Sequence, residues 1–376
     1  MSRSRKFLLS LVSIIFGLVA GGVLTEAALR IGGYSPMYVN PLNAFHEGHP
    51  LTGYWGRPNF TGRFRRSEFD VIVAHDENGF RKQEYQQPEQ KAGHKVMVFG
   101  DSFVWGWGVG QGRVFTDRMS QLMTDYRVMN FGLSASGTVQ QFAIFEASGK
   151  EQMRPGDTVV LMFYANDFTD NVSPGFLHAE LRNGEIRRAG PERVLASGET
   201  NHSLRKSYAV NLISFSVNVL KATLKQRRAL ERAAVLTALG AESPETAVVK
   251  HFLGEFQRAA AEKGASFIAV YVPLHGELGE ASRPSEKTLK NEQDYRRAFF
   301  ASAEAVGIRT IDLLPRFLEA KRSGRYGSLY LARDEHWNES GHEVAAKVLA
   351  EVILAAEPKR SSARQTPPQQ PSAAAK

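Results

Sequence analysis

The stretch Val96-Met97-Val98-Phe99-Gly100-Asp101-Ser102-Phe103 decides the reading of this chain. Its apolar, partly β-branched run predicts a buried strand, and its Gly-Asp-Ser end sets a serine hydroxyl on a tight turn at the carboxyl edge of a parallel sheet. Gly-Asp-Ser is also ordinary turn chemistry, so any function for the serine has to be supported elsewhere in the chain. Three further segments supply that support. Val128-Met129-Asn130-Phe131-Gly132 is a strand-like run ending in a glycine, whose missing side chain would leave a backbone N–H open to a ligand. Val159-Val160-Leu161-Met162-Phe163-Tyr164-Ala165-Asn166-Asp167 is another apolar run, ending in a carboxamide donor. Asp334-Glu335-His336-Trp337-Asn338 stands just ahead of the last helical stretch. Ser, Gly, Asn and His therefore follow in chain order, each beside a strand end or a helix start.

On these blocks the chain resembles the SGNH hydrolases, a superfamily of serine esterases also called GDSL-like, over roughly Asp76 to Ala355. Asn78-Gly79-Phe80-Arg81 and Gly106-Trp107-Gly108-Val109 are similar to segments of bacterial membrane-anchored members. The commonest pattern of the superfamily has two residues between the acid and the histidine. Here only Glu335 separates Asp334 from His336, a spacing similar to that of the sugar O-acetylation branch.

The resemblance implies a role for each block. A serine hydroxyl at its free pKa attacks poorly, so Ser102 as nucleophile needs a base, His336, oriented by an acid, Asp334, with Glu335 the rival for that place. The backbone N–H groups of Ser102 and Gly132 and the side-chain amide of Asn166 would form an oxyanion hole. Each residue also has a plainer reading: a packing histidine beside Trp337, a turn glycine, and a strand-ending Asx turn. Asp101 and Asp167 read as turn and supporting groups. Trp105 and Trp107 are candidates either for a sugar-stacking wall or for aromatic packing against the insertion described below. His46 and His49, and His336 and His342, lack metal-site spacing and no HExxH occurs, so neither a metal nor a cofactor is expected.

The 376 residues, 43% of them hydrophobic, suffice for one large α/β domain with additions or for two modest ones. With no cysteine, disulfides, thiolate metal sites and thiol catalysis are excluded. The formal net charge of +8 invites a nucleic-acid reading, but clusters such as Arg63-Phe64-Arg65-Arg66 and Lys225-Gln226-Arg227-Arg228 accompany no nucleic-acid motif. They read instead as solvated faces and as attraction to an anionic envelope surface.

Residues 1–6 form a basic start and residues 7–29 a transmembrane signal-anchor. Phe7 to Leu24 carries no charge, and 18 helical residues span about 27 Å, close to a hydrocarbon core. Arg3, Arg5 and Lys6 ahead of it keep the start in the cytoplasm and send the rest across. A cleaved signal peptide, with small residues at Ala20-Gly21-Gly22 or Ala27-Ala28, and a buried core helix are the rivals. Residues 30–93 read as an irregular lead-in packed on the main domain, with a possible strand at Phe69 to Val73. Residues 94–356 hold the hydrolase-like domain, with an insertion at about 171–245 placed to roof the site, and 357–376 is a Pro, Gln, Ser and Ala tail with disordered composition.

From Lys95 onward strands alternate with amphipathic stretches. That alternation predicts a flavodoxin-like three-layer α/β sandwich with a central parallel sheet of about five strands, whose ligands bind outside the carboxyl ends. Further strands are expected at Ser266 to Val272 and Arg309 to Asp312, a capping box at Thr138 and Gln141, and helix-ending glycines at Gly264 and Gly307. The expected function is a serine esterase of the bacterial envelope, anchored in the inner membrane. It would cleave small acyl esters, O-acetyl above all, on glycans through an acyl-enzyme. An O-acetyltransferase with the same triad and a catalytically silent glycan-binding component are the alternatives.

Overall fold

The computed structural model describes residues 3–34, 42–66, 68–88, 93–195, 207–214, 216–217, 220, 243–279 and 286–356. Five strands form one parallel sheet: β1 (His94–Gly100), β2 (Tyr126–Gly132), β3 (Thr158–Phe163), β4 (Ser266–Tyr271) and β5 (Arg309–Asp312). Their order, β5-β4-β3-β1-β2, is the expected flavodoxin-like winding. Gly100, at the end of β1, lies opposite Gly132 of β2 and Met162 of β3, so the ends that carry the sequence blocks are level.

Contiguous apolar runs form these strands because both faces of the sheet are covered. Successive side chains alternate between the faces. Met97, Phe99, Leu161 and Phe163 pack under helices Thr138–Ile144, Pro244–Glu262 and Glu286–Glu304, through Phe142, Phe252, Phe256 and Phe299. Val96, Val98, Val160 and Met162 pack under Phe115–Leu122 and Glu339–Ala356, through Phe115, Met119, Val344 and Leu349. Each fully buried side chain stabilises by roughly 2 kcal/mol, and a charge at Val98 would reverse that sign by stranding an ion among aliphatic groups.

Local signals set the helix ends. Ser243 accepts from Thr246 N–H at 3.3 Å ahead of Pro244, and Gly264 and Gly307 sit at φ +69° and +66° as helix-ending residues. The capping box is displaced from its expected position. Gly137 is the N-cap, and Gln140 reaches back to the Gly137 N–H at 2.9 Å. The Thr138 hydroxyl instead donates to Asp167 at 2.9 Å, because position 138 already lies inside the helix.

The N-terminal helix, Arg3–Ile31, is long and apolar enough to cross a membrane, and none of its span is buried in protein, unlike a core helix. Glu26, near its end, accepts from Ser207 Oγ at 2.9 Å and from the N–H groups of Tyr208 and Ala209 at 3.1 and 3.0 Å. The helical residues 208–214 of the insertion thus start on that carboxylate. The hairpin His178–Arg182 and Glu185–Ala189 packs on the sheet face that carries Thr138–Ile144, with Leu177 and Ala179 in the core of that face. Residues 196–206 and 221–242 of the insertion, and the 357–376 tail, lie outside the described residues.

The lead-in contains an antiparallel hairpin, Thr61–Arg65 with Asp70–Ala74. Phe45, Phe64, Phe69 and Val73 bury together with Trp105, Trp107 and Leu331. This third cluster clamps the lead-in onto two loops at the carboxyl edge, one after Ser102 and one before His336.

Candidate active site

Ser102 opens a one-turn helix, Ser102–Trp105, directly off β1. Asp101 caps that turn by accepting the Phe103 N–H at 3.0 Å, and Gly106 ends it at φ +83°, so the serine is held at a strand-to-helix corner. A Cβ at Gly100 would run into Val104 and come within 3.0 Å of the Met162 carbonyl, which is why the corner needs glycine there.

Across the edge, the His336 loop is pinned on both sides. Leu331 N–H donates to the His336 carbonyl at 2.9 Å, Asn338 Nδ2 to the carbonyls of Ser328 and Tyr330 at 2.9 and 3.0 Å, and Trp337 is fully buried beside Phe103 and Phe317. This seats His336 Nε2 2.7 Å from Ser102 Oγ, while Nδ1 lies 2.5 Å from Asp334 Oδ1. A carboxylate only accepts, so Nδ1 carries the imidazole proton and Nε2 is left to accept from the serine. The partner of Nδ1 is Asp334 and not Glu335.

Asp334 uses its second oxygen as well. Oδ2 accepts from Arg66 Nη1 at 2.7 Å and from Trp107 Nε1 at 3.1 Å. Burial alone would raise its pKa, but the His336 charge and hydrogen bond, then Arg66 and Trp107, hold it well below the usual carboxylate range. His336 is bracketed by rings, with Trp107 stacked at 4.6 Å and 14° and Phe103 at 5.0 Å.

The expected oxyanion donors sit differently. Gly132 ends β2 at the same edge, but its N–H donates to Asn130 Oδ1 at 2.9 Å and is not left open. The glycine is required for another reason: a Cβ there would overlap the backbone of Val104 and Trp105, where the nucleophile turn crosses β2. Asn166 follows β3, and its amide donates to Asp170 Oδ2 at 3.0 Å instead of capping the turn. Asp101 and Asp167 are buried beneath. Burial raises both carboxyl pKa values; the hydrogen bond from the Phe103 N–H and the His336 charge oppose this at Asp101, whereas the charge of Asp101 adds to it at Asp167.

The contacts of Arg66 and Trp107 with Asp334 are not legible in the sequence. Arg66 belongs to a basic run whose composition suits a solvated face; Arg63 does lie on the surface with Asp70, whereas Arg66 turns inward. Trp105 and Trp107 form no sugar wall, because both are buried, and they pack against the lead-in and not the insertion. Trp105 donates to His75 Nε2 at 2.9 Å. Among the described residues no group of three or more His, Asp or Glu side chains is placed to hold a metal ion.

The family model described as "SGNH hydrolase-like domain, acetyltransferase AlgX" matches residues 232–375. That segment contains Asp334 and His336 and begins after Ser102, Gly132 and Asn166. No curated protein matches the chain. Among solved structures, a lipolytic protein of the G-D-S-L family from Veillonella parvula is 15% identical, covering 69% of this chain and 98% of its own, with a TM-score of 0.41. An acetyl xylan esterase is 16% identical over 69% and 99%, TM-score 0.40. A carbohydrate acetylesterase from Sinorhizobium meliloti is 14% identical over 70% and 99%, TM-score 0.38.

Proposed function

We infer, for a chain that belongs to the SGNH hydrolase-like superfamily, a membrane-anchored serine enzyme of the bacterial envelope that acts on small acyl esters, O-acetyl groups of glycans above all, through an acyl-enzyme. The observation that carries this reading is the unbroken line from Ser102 Oγ through His336 to Asp334 at 2.7 and 2.5 Å. His336 Nε2 takes the hydroxyl proton as Ser102 Oγ attacks the ester carbonyl, and Asp334 stabilises the imidazolium that forms. The oxyanion is met by the Ser102 N–H and by an Asn166 N–H, with Gly132 joining once its amide leaves Asn130. His336 then hands its proton to the departing alkoxide, and acyl-Ser102 awaits an acceptor.

Water or a sugar hydroxyl ends the cycle with the same residues, the acceptor losing its proton to His336. Hydrolysis is the first reading. Transfer is the second, and the matched family model, which is described as an acetyltransferase, favours it. Full-length protein in detergent, given p-nitrophenyl acetate with and without an oligosaccharide acceptor, tests both. Ser102-dependent release of p-nitrophenol is expected, with acetyl recovered as acetate for a hydrolase and on the acceptor for a transferase. Release equal in wild type and Ser102→Ala would leave a silent glycan-binding component as the surviving alternative. The basic start and the apolar helix Arg3–Ile31 support an outward-facing catalytic domain. Alkaline phosphatase fused after Ala356 should therefore be active, and an inactive, well-expressed fusion would remove the envelope assignment.

A further inference from the structure

We propose that Arg66, carried by the lead-in hairpin, is a positioning residue of this site: it fixes Asp334 from behind, so that the imidazole of His336 stays aligned on Ser102, and its charge offsets that of the carboxylate joined to His336. The inference rests on the triad reading above and adds a residue from outside the four blocks. Asp334 divides its two oxygens. Oδ1 faces His336, accepting from Nδ1 at 2.5 Å and from the His336 backbone N–H at 3.2 Å, while Oδ2 faces away and accepts from Arg66 at 2.7 Å and Trp107 at 3.1 Å. A carboxylate held at both oxygens has one orientation about its terminal torsion. One held only toward His336 can turn, and the imidazole turns with it.

The same guanidinium sits 4.9 Å over the Trp107 ring, and Trp107 in turn stacks on His336 at 4.6 Å. Arg66, Trp107 and His336 thus form one pile whose two ends are joined through Asp334. Arg66 and Asp334 keep only 20% and 13% of their side-chain surface, so their interaction is shielded from solvent. The hairpin delivers Arg66 to this place: Arg66 N–H donates to the Phe69 carbonyl at 2.9 Å, and Phe64 and Phe69 are buried against Trp105 and Trp107.

The electrostatic consequence has a definite sign. Around His336 stand Asp334 and Glu335 on its own loop, Asp101 beside Ser102 on the nucleophile turn, His342 on the last helix, and Arg66 on the hairpin. Arg66 supplies the cation that offsets the carboxylate joined to His336. With it removed, Asp334 favours the imidazolium more strongly, and the base is lost to protonation at a higher pH.

The test uses full-length protein in detergent micelles and two readouts, only one of which needs turnover. The acid limb of the kcat/KM profile on p-nitrophenyl acetate should move to higher pH by about one unit in Arg66→Met and stay near the wild-type position in Arg66→Lys, which keeps the charge. The imidazole resonance of His336, assigned by its loss in His336→Gln, should titrate with the same shift. If Arg66→Met does not fold, Arg66→Gln removes the charge with a smaller loss of packing and serves the same comparison. A shifted titration in a protein that cleaves no ester would uphold the role of Arg66 while removing the esterase reading. An active enzyme whose acid limb and His336 titration are unmoved by Arg66→Met would overturn the inference and leave the esterase reading intact.

Discussion

Replacing Asp334 by asparagine should do more harm than its size suggests, because the site dictates how the amide must lie. Trp107 Nε1 and Arg66 Nη1 both donate to the Oδ2 position, so the amide oxygen has to remain there. The NH2 group then occupies the Oδ1 position, 2.5 Å from His336 Nδ1 in the native protein. Two donors cannot share that contact, so Nδ1 gives up its proton to become an acceptor and the ring carries its proton on Nε2. Nε2 is the atom 2.7 Å from Ser102 Oγ, and in that tautomer it cannot take the serine proton. The fold is untouched and the base is disabled. A loss of about 10⁴ in kcat, or about 5.5 kcal/mol of barrier, is expected by analogy with triads in which the acid fixes the tautomer. Glu335→Gln, whose side chain is not the partner of Nδ1, should stay within a few-fold of wild type. The assay is steady-state hydrolysis of p-nitrophenyl acetate on preparations with matched thermal melts. A folded Asp334→Asn within tenfold of wild type, or a larger loss in Glu335→Gln, would refute the assignment of the acid.

The strands and Ser102 were legible for a physical reason. A strand buried on both faces has to be a short unbroken apolar run, and β1, β3 and β4 each end within two residues of the point where the run stops. The level strand ends then bring Ser102, Gly132 and Asn166 to one edge, where the loop of His336 reaches the serine. Gly132 was legible as a glycine but not in its purpose. Sequence cannot distinguish a glycine that frees its N–H from one that lets two backbones touch, and here the crossing of Val104 and Trp105 is what requires it. Arg66 was illegible because its partner is 268 positions away and its neighbours Arg63 and Arg65 are surface residues of the same type. A basic run on a hairpin alternates sides, and only the fold tells which member turns inward. Trp107 misled for a related reason, since a tryptophan beside a nucleophile suits a substrate wall as well as it suits a brace behind the base.

Two other predictions concern the site and one the core. Asn166→Ala should lower kcat by about 10²–10³ with KM nearly unchanged, since its hydrogen bond strengthens only in the transition state; an unchanged kcat in a folded variant would exclude it as a donor. Ser102→Ala and His336→Ala should each cost at least about 10³ in turnover, and the double variant little more, whereas additive losses would mean that the two do not act as a unit. The core prediction rests on His342, fully buried on the last helix beside Trp337 and Phe115, where Nδ1 accepts the Phe115 N–H at 3.3 Å. Burial first, then the charges of Arg118, Arg81 and His336, push its pKa down to about 3. In the unfolded chain an imidazole takes its proton near pH 6.5. Between those values the unfolded state binds a proton that the folded state refuses, so this contribution to stability is complete above pH 6.5 and declines as the pH falls toward 3. By pH 5 the decline should reach about 2 kcal/mol. His342→Gln keeps an acceptor for Phe115 and removes the titration. It should be less stable than wild type at pH 7, yet lose about 2 kcal/mol less between pH 7 and 5 in denaturant midpoints at matched slopes. Parallel pH dependences in the two proteins would mean that His342 is not held neutral by its burial.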